Sequence, residues 1–444
     1  VGSGTASVTL SFAAWSDGRV ASTTHEITVL PTGLGPKEEP LAENLIASLA
    51  HPDRKANVTN VQFSPDGHRL FASGYPSGIV QVYDWAAKTE VRRIDTPPGR
   101  RSSSEYALLT PDWKTLYVPV DRQTVEPIER EGKRVQRVEY SGSIRVWDVE
   151  SGTEQAPLEC PKGSAPIHAQ MSPSGQLLLA IERPSYDAVP GVQPQAATVL
   201  WDLATRERRK LCDGFAVPAF APDGKTLGVV VTDYDAKQSV VSLLNLATGD
   251  KRASLECPDK DRYFSIGDFS PDGALLTVRL GGKLAAPTEV WFLDGQTLDE
   301  RGKFLGDGDP KRYGWAFGAF SPDSRTYVIT DSLGKAHVWD TTAAKVTRTF
   351  DIGGFSAQVA FSPDGSTAAV GWVPASDTNI AEARNPDPLD FPQTRVTLLD
   401  LTGANPPHVL IARRGYAGGV AFSPDGKTLA FGSAGTVHLF DLTK

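Results

Sequence analysis

A chain of 444 residues with 40% hydrophobic content is too long for one sandwich-type core and implies several domains or one array of repeats. Its 41 glycines and 33 prolines interrupt the chain too often for long helices and point to many short strands joined by tight turns. Lys plus Arg at 45 against Asp plus Glu at 53 gives a net charge of -8, which works against general binding to nucleic acid or an anionic membrane, and no apolar run is long enough to cross a bilayer.

Residues 1–42 fit the downstream repeat poorly, and a degenerate ninth unit is one reading of them. Ser7–Phe12, Ala14–Val20 and Glu26–Leu30 read as a small β-ribbon, followed by a Pro-rich linker from Pro31 to Pro40. Because the chain begins Val1-Gly2-Ser3-Gly4, this part is expected to be the end of an upstream domain or an extra strand pair, with any targeting segment removed. From residue 43 onward one turn recurs: Ser64-Pro-Asp-Gly67, Thr110-Pro-Asp-Trp113, Ser172-Pro-Ser-Gly175, Ala221-Pro-Asp-Gly224, Ser270-Pro-Asp-Gly273, Ser321-Pro-Asp-Ser324, Ser362-Pro-Asp-Gly365 and Ser423-Pro-Asp-Gly426. Proline presets φ at the second position of a type I turn, and glycine relieves the last. Downstream of each turn lies an apolar strand ending near an acidic or amide residue: Val82-Tyr-Asp84, Val146-Trp-Asp148, Leu200-Trp-Asp202, Leu244-Asn245, Val290-Trp-Phe-Leu-Asp294, Val338-Trp-Asp340, Leu398-Leu-Asp400 and Leu439-Phe-Asp441.

This period and these two motifs resemble the WD40 family of β-propellers, in an atypical and bacterial form, over residues 43–444. The resemblance implies an all-β fold: a closed propeller of eight blades, each of four antiparallel strands. Each repeat would run as outer strand d, then a, b and c, with the Ser-Pro-Asp-Gly turn joining a to b and the Trp-Asp pair ending c. The first repeat then has one outer strand too many and the last one too few, so Leu45–Leu49 is expected to pair with Val437–Phe440 and close the ring. Against the family pattern, the Gly-His pair before strand a is missing almost throughout, and the Asp of the b–c turn is mostly replaced, for instance by Leu333 in Ser332-Leu-Gly334. The blades are therefore expected to rest on apolar packing and to lack most of the family's buried polar network.

Chemistry is sparse. The seven histidines make no His-x-x-x-His pattern, and Cys160, Cys212 and Cys257 recur at equivalent strand ends of successive repeats, which predicts neither metal nor cofactor. Spacing between turns is longest from Pro111 to Pro173 and from Pro363 to Pro424, placing insertions at Asp121–Glu139, Glu182–Ala197 and Pro374–Thr394. All three fall between strands b and c, hence on one end of the ring together with the d–a connections. At the approach to strand a stand Phe215, Tyr263, Tyr313, Trp315, Phe355 and Tyr416, with Arg262, Arg312 and Arg414 nearby. Aromatic and arginine side chains in a ring are good interface anchors. The expected function is a non-catalytic scaffold for a protein or peptide partner on the b–c/d–a face, with no nucleic acid and no membrane insertion by this segment. Two rivals stand beside it: a hydrolase or lyase centred at the channel mouth, and a structural domain of a larger multidomain protein.

Overall fold

The computed structural model describes residues 4–13, 20–29, 41–53, 56–75, 77–97, 107–130, 133–188, 196–214, 216–233, 236–281, 287–308, 317–374, 393–415 and 417–444. The chain divides into two units, Val1–Pro40 and Leu41–Lys444. The first is an antiparallel hairpin of strands Gly4–Ala13 and Val20–Val29, with Gly4 opposite Val29 and Ala13 opposite Val20.

Among the described residues the second unit holds eight sheets with antiparallel neighbours in the order a-b-c-d. Blade 1 comprises Asn57–Phe63, Arg69–Tyr75, Ile79–Asp84 and Thr89–Asp95, and blades 2 to 7 follow in sequence. Blade 8 takes strands a, b and c from Val420–Phe422, Thr428–Ser433 and Thr436–Asp441, and its outer strand is Leu45–Ala50 from the other end of the unit. Leu45 lies opposite Phe440 and Ala50 opposite Thr436, so the expected exchange of strands is present.

The core lies in the seams between blades. One cluster joins Phe71, Val80 and Val82 of blade 1 to Leu109, Leu116 and Trp147 of blade 2. Another joins Val290, Phe292 and Phe304 of blade 5 to Tyr327, Ile329 and Trp339 of blade 6, where Phe292 stacks on Trp339 at 4.8 Å. The last seam brings Leu49, Ala430, Val437 and Leu439 against Val58, Leu70 and Tyr83 of blade 1. Each strand contributes alternate side chains to the two seams beside it, which is why strands b and c are apolar nearly throughout. Emptying one such position by Leu→Ala typically costs about 2–5 kcal/mol.

The repeated turn shows why its residues recur. Ser64, Thr110, Ser270, Ser321, Ser362 and Ser423 donate their hydroxyls to the aspartate two residues on. The same hydroxyl oxygens accept backbone N–H bonds from the residue opening strand b, as from Arg69, Thr115 and Thr326. The fourth position is left-handed in all eight turns, with φ from 60° at Trp113 to 74° at Gly67. Glycine relieves that conformation in six turns; Trp113 and Ser324 adopt it with a side chain. At the end of strand c, Asp84, Asp148, Asp202, Asp294, Asp340, Asp400 and Asp441 accept N–H bonds from the c–d turn.

The polar interior departs from expectation in two blades. Asp331, two residues before Leu333, sits in the tight b–c turn of blade 6 and accepts N–H bonds from Leu333 and Lys335. Its carboxylate meets His337 Nε2 at 2.9 Å, and His337 Nδ1 lies 3.0 Å from the Thr349 hydroxyl on strand d. Burial works against its ionisation, yet these bonds hold Asp331 below the usual carboxylate range. In blade 8 the fully buried His438 bridges Ser48 on the borrowed strand at 3.1 Å and Ser433 at 3.0 Å, so the closure carries a polar clasp as well as a ladder. These two blades thus carry a buried polar network with histidine on strand c.

Candidate functional site

The b–c end of the ring carries the largest departure from the repeat. In blade 2 the insertion Asp121–Glu139 extends strands b and c, Thr115–Arg130 and Lys133–Asp148, as one continuous ladder with Arg130 opposite Lys133. Part of the blade-3 insertion, Tyr186–Ala188, adds to the far side of this hairpin with Asp187 opposite Arg137. Two loops expected from sequence therefore form one three-stranded platform.

The two faces of that platform differ, because directly opposed residues share a face. One carries Tyr186, Val138 and Val125, and Val138 and Tyr140 pack on Ala165 of blade 3. The other carries Asp187, Arg137 and Glu126; Arg137 and Arg130 each reach Asp187 at 3.0 Å. The Tyr140 amide donates to the Ser185 hydroxyl at 2.7 Å, and Arg183 lies over the Tyr140 ring. At the base of the hairpin a cleft of about 330 Å³ has Arg122, Arg145 and Lys162 on its rim against Glu159. Beside it Glu182, almost fully buried, takes a bidentate pair from Arg208 at 2.5 and 3.0 Å. Burial and then the Glu182 carboxylate push the neighbouring Cys160 thiol up, so it stays protonated.

Of the aromatic and basic residues expected at the channel mouth, Phe215, Arg312, Tyr313, Trp315 and Tyr416 lie outside the described residues. Phe355 stands on strand a of blade 7, Gly354–Phe361, and Arg414 ends its strand d, His408–Arg414. Tyr263 opens strand a of blade 5, half-buried. Arg262 is turned inward: it pairs with the buried Glu289 at 2.5 Å and donates to the Leu280 carbonyl at 3.0 Å. Trp291 donates its indole N–H to the same carboxylate, and Lys303 sits 3.7 Å above the Trp291 ring. Arg262 thus anchors the d–a connection to its blade. The insertion Pro374–Thr394 lies almost wholly outside the described residues.

Strands a form the inner edge of every sheet, so exposure on them is exposure to the channel. Asn60, Gln62, His168, Gln170, Asp268 and Gln358 are half-buried or exposed there. Asp268 is the sole acidic residue on the described a strands. It stands in a β-bulge, where the register shifts between Ile266 and Phe269 and Gly267 packs on the Thr277 hydroxyl. The surrounding wall raises its pKa by desolvation, with Arg279 opposing. Burial lowers that of His168. Among the described residues no three His, Cys, Asp or Glu gather to hold a metal ion.

The family model described as WD domain, G-beta repeat matches residues 43–84 and 406–441, the two repeats that meet at the closure. Among solved structures, the C-terminal WD40 domain of Sif2 is similar with a TM-score of 0.56 at 12% identity, covering 89% of this chain and 97% of that one. Kuenenia stuttgartiensis hydrazine synthase is similar with a TM-score of 0.51 at 16% identity, covering 90% and 99%. Among curated proteins no sequence match is found. At these identities the two structures speak for the fold alone. Repeats, sheet order and fold likeness agree: the chain is a β-propeller, two of whose repeats, at residues 43–84 and 406–441, match the WD40 model.

Proposed function

We propose that this propeller is a non-catalytic scaffold that binds a protein or peptide partner through its b–c/d–a face. One observation carries the reading: insertions from two blades, unrelated in sequence, are knitted by backbone pairing and the Arg137–Asp187 ion pair into one platform. Ordering a projection this long opposes chain entropy, and rigid structure on a scaffold end is the arrangement that favours recognition. WD40 repeats in general serve protein association, which agrees. The rim cations Arg122 and Lys162 favour an acidic segment of the partner, Arg145 being paired with Glu154.

The test replaces Gln123–Tyr140 with a two-residue Asn-Gly turn, which keeps Arg122 opposite Ser141, and compares partner recovery from the source organism's extract by quantitative mass spectrometry. Loss of a partner held by the parent protein, with the thermal transition kept, is the expected outcome. Full recovery of all partners by the shortened protein would overturn the reading.

A second reading rests on Asp268, whose raised pKa suits a general acid in a hydrolase or lyase at the channel. Turnover of a glycan or peptide library that Asp268→Asn abolishes would favour it. A role as structural domain within a larger protein is compatible with binding and is tested by the sequence of the full gene.

A further inference from the structure

The end of the ring away from the platform carries a device found in three of the eight blades. Strand d has an arginine cross-strand from Val82 in blade 1, Leu200 in blade 3 and Val338 in blade 6: Arg92, Arg209 and Arg348. Each crosses the seam to the c–d turn of the next blade and donates to backbone carbonyls. Arg92 reaches Glu150, Arg209 reaches Leu246, and Arg348 reaches both Leu401 and, at 3.1 Å, Asp400. The turn glycine stands beside it each time; a Cβ on Gly152, Gly249 or Gly403 would come within 3.5 Å of the arginine. The repeated slot is therefore an acceptor carbonyl, a bare glycine and an apolar wall for the methylene stem.

The seam between blades 7 and 8 lacks the arginine, as do those after blades 2, 4, 5 and 8, but here an open cleft stands in its place. The position cross-strand from Leu398 is His408, too short to span the seam and exposed. The c–d turn it faces is the one interrupted by ring closure, with Leu442 and Lys444 on one side and Asn44 on the other. A cleft of about 770 Å³ opens there, bordered by His408, Leu442, Asn44 and Phe422. That size lies within the roughly 300–1,000 Å³ of small-ligand sites. Three carboxylates surround it, Asp364, Asp400 and Asp425, and Lys444, 3.6 Å from Asp441, is the one lysine or arginine on its lining. Hydroxyl bonds from Ser362, Thr402 and Ser423 hold the three carboxyls below their ordinary range, so they are ionised at neutral pH.

We propose that the cleft between blades 7 and 8 receives an arginine side chain from a partner polypeptide, seated where blades 1, 3 and 6 seat their own. Phe422, Leu398 and Leu442 offer the stem an apolar wall, and the planar fork suits a cleft flanked by carboxylates better than an ammonium does. The inference stands apart from the platform reading, since this cleft is built from a–b and c–d turns at the other end of the ring.

The test titrates the whole chain with N-acetyl-Gly-Arg-Gly-amide and with its lysine counterpart, following backbone amide signals of His408, Phe422 and Leu442 by NMR. Saturable shifts with affinity on the order of millimolar, and at least roughly tenfold weaker for the lysine peptide, are expected for one side chain. His408→Arg supplies the missing side chain in cis and is expected to abolish the shifts; Leu442→Trp, which fills the cleft by bulk, is expected to do the same. Absence of saturable shifts in the parent protein, equal response to both peptides, or unchanged binding in both variants would overturn the proposal.

Discussion

The two ends of the ring follow different rules. At the turn end, the hydroxyl, carboxylate and backbone partners within each turn lie within five residues of one another and recur around the ring, with arginines bridging only three seams. At the b–c end the decisive contacts join different blades: Asp187 to Arg137, Ser185 to Tyr140, Val58 to Gly419. Local hydrogen bonding keeps the first end constant, whereas the second is free to vary wherever a neighbouring blade answers.

The sharpest way to break this contrast is to add one methyl at each end. A Cβ on Gly418, at the closing seam, would stand 1.9 Å from the Val58 carbonyl oxygen, while on Gly426, in the last repeated turn, its nearest neighbour is Pro363 at 3.6 Å. Gly418→Ala is expected to lose on the order of 4–5 kcal/mol or to leave the ring open, and Gly426→Ala only about 1–2 kcal/mol from its left-handed φ. Equal denaturation midpoints for the two would refute the distinction. Next in size is His337→Leu, which leaves the buried Asp331 carboxylate with only its Leu333 and Lys335 N–H bonds and is expected to cost about 3 kcal/mol in urea unfolding. A loss near zero would show that the network adds nothing to apolar packing.

Acid separates the turn aspartates from the channel aspartate by sign. Hydroxyl and backbone bonds depress Asp66, Asp112, Asp323, Asp364 and Asp425, and the Arg301 guanidinium brings Asp294 down to about 2. Their stabilisation is present above the unfolded value of about 3.9 and lost as pH falls through the folded values. Near-ultraviolet circular dichroism is expected to hold down to about pH 4 and collapse toward pH 2. Asp268 is shifted the other way, so its favourable contribution exists below the unfolded value and fades as pH rises. Asp268→Asn is expected to raise the melting temperature at pH 7 and leave it unchanged near pH 3; a drop at pH 7 would contradict this. The smallest effect is at Lys88, exposed with φ 59° in the first c–d turn, where blades 2 and 4 have Gly152 and Gly249. Lys88→Gly is expected to stabilise by about 0.5–1 kcal/mol in thermal unfolding, against destabilisation if the lysine makes a useful contact.

The same contrast governs what the sequence discloses. The eight turns, the end of strand c, the exchanged strand and the placement of Cys160, Cys212 and Cys257 at the outer strands are legible because each depends on a short motif or its period. The extended hairpin is not: Pro127 interrupts its strand pattern, and only pairing with Gln136 shows that it belongs to a ladder. Asp331 was hidden by an offset of two residues from Leu333, and His337 by standing on strand c instead of before strand a. The seam arginines leave no trace in a sequence pattern, since their acceptors are carbonyl oxygens some forty to sixty residues away. Arg262 reads as a rim anchor from its neighbours Tyr263 and Phe264, and only the fold reveals Glu289 behind it.

The exchanged strand also decides how the ring responds to pulling. Leu45 enters opposite Phe440, so the two chain ends of the ring leave side by side at the same end of one antiparallel pair. Tension drawn between them loads that ladder one rung at a time, from Leu45 toward Ala50, and peels the strand off instead of shearing every bond together. Tension through any interior strand meets two flanking ladders at once. The ring is therefore a buckle, weak along the single direction in which its own ends are pulled apart and strong in the others.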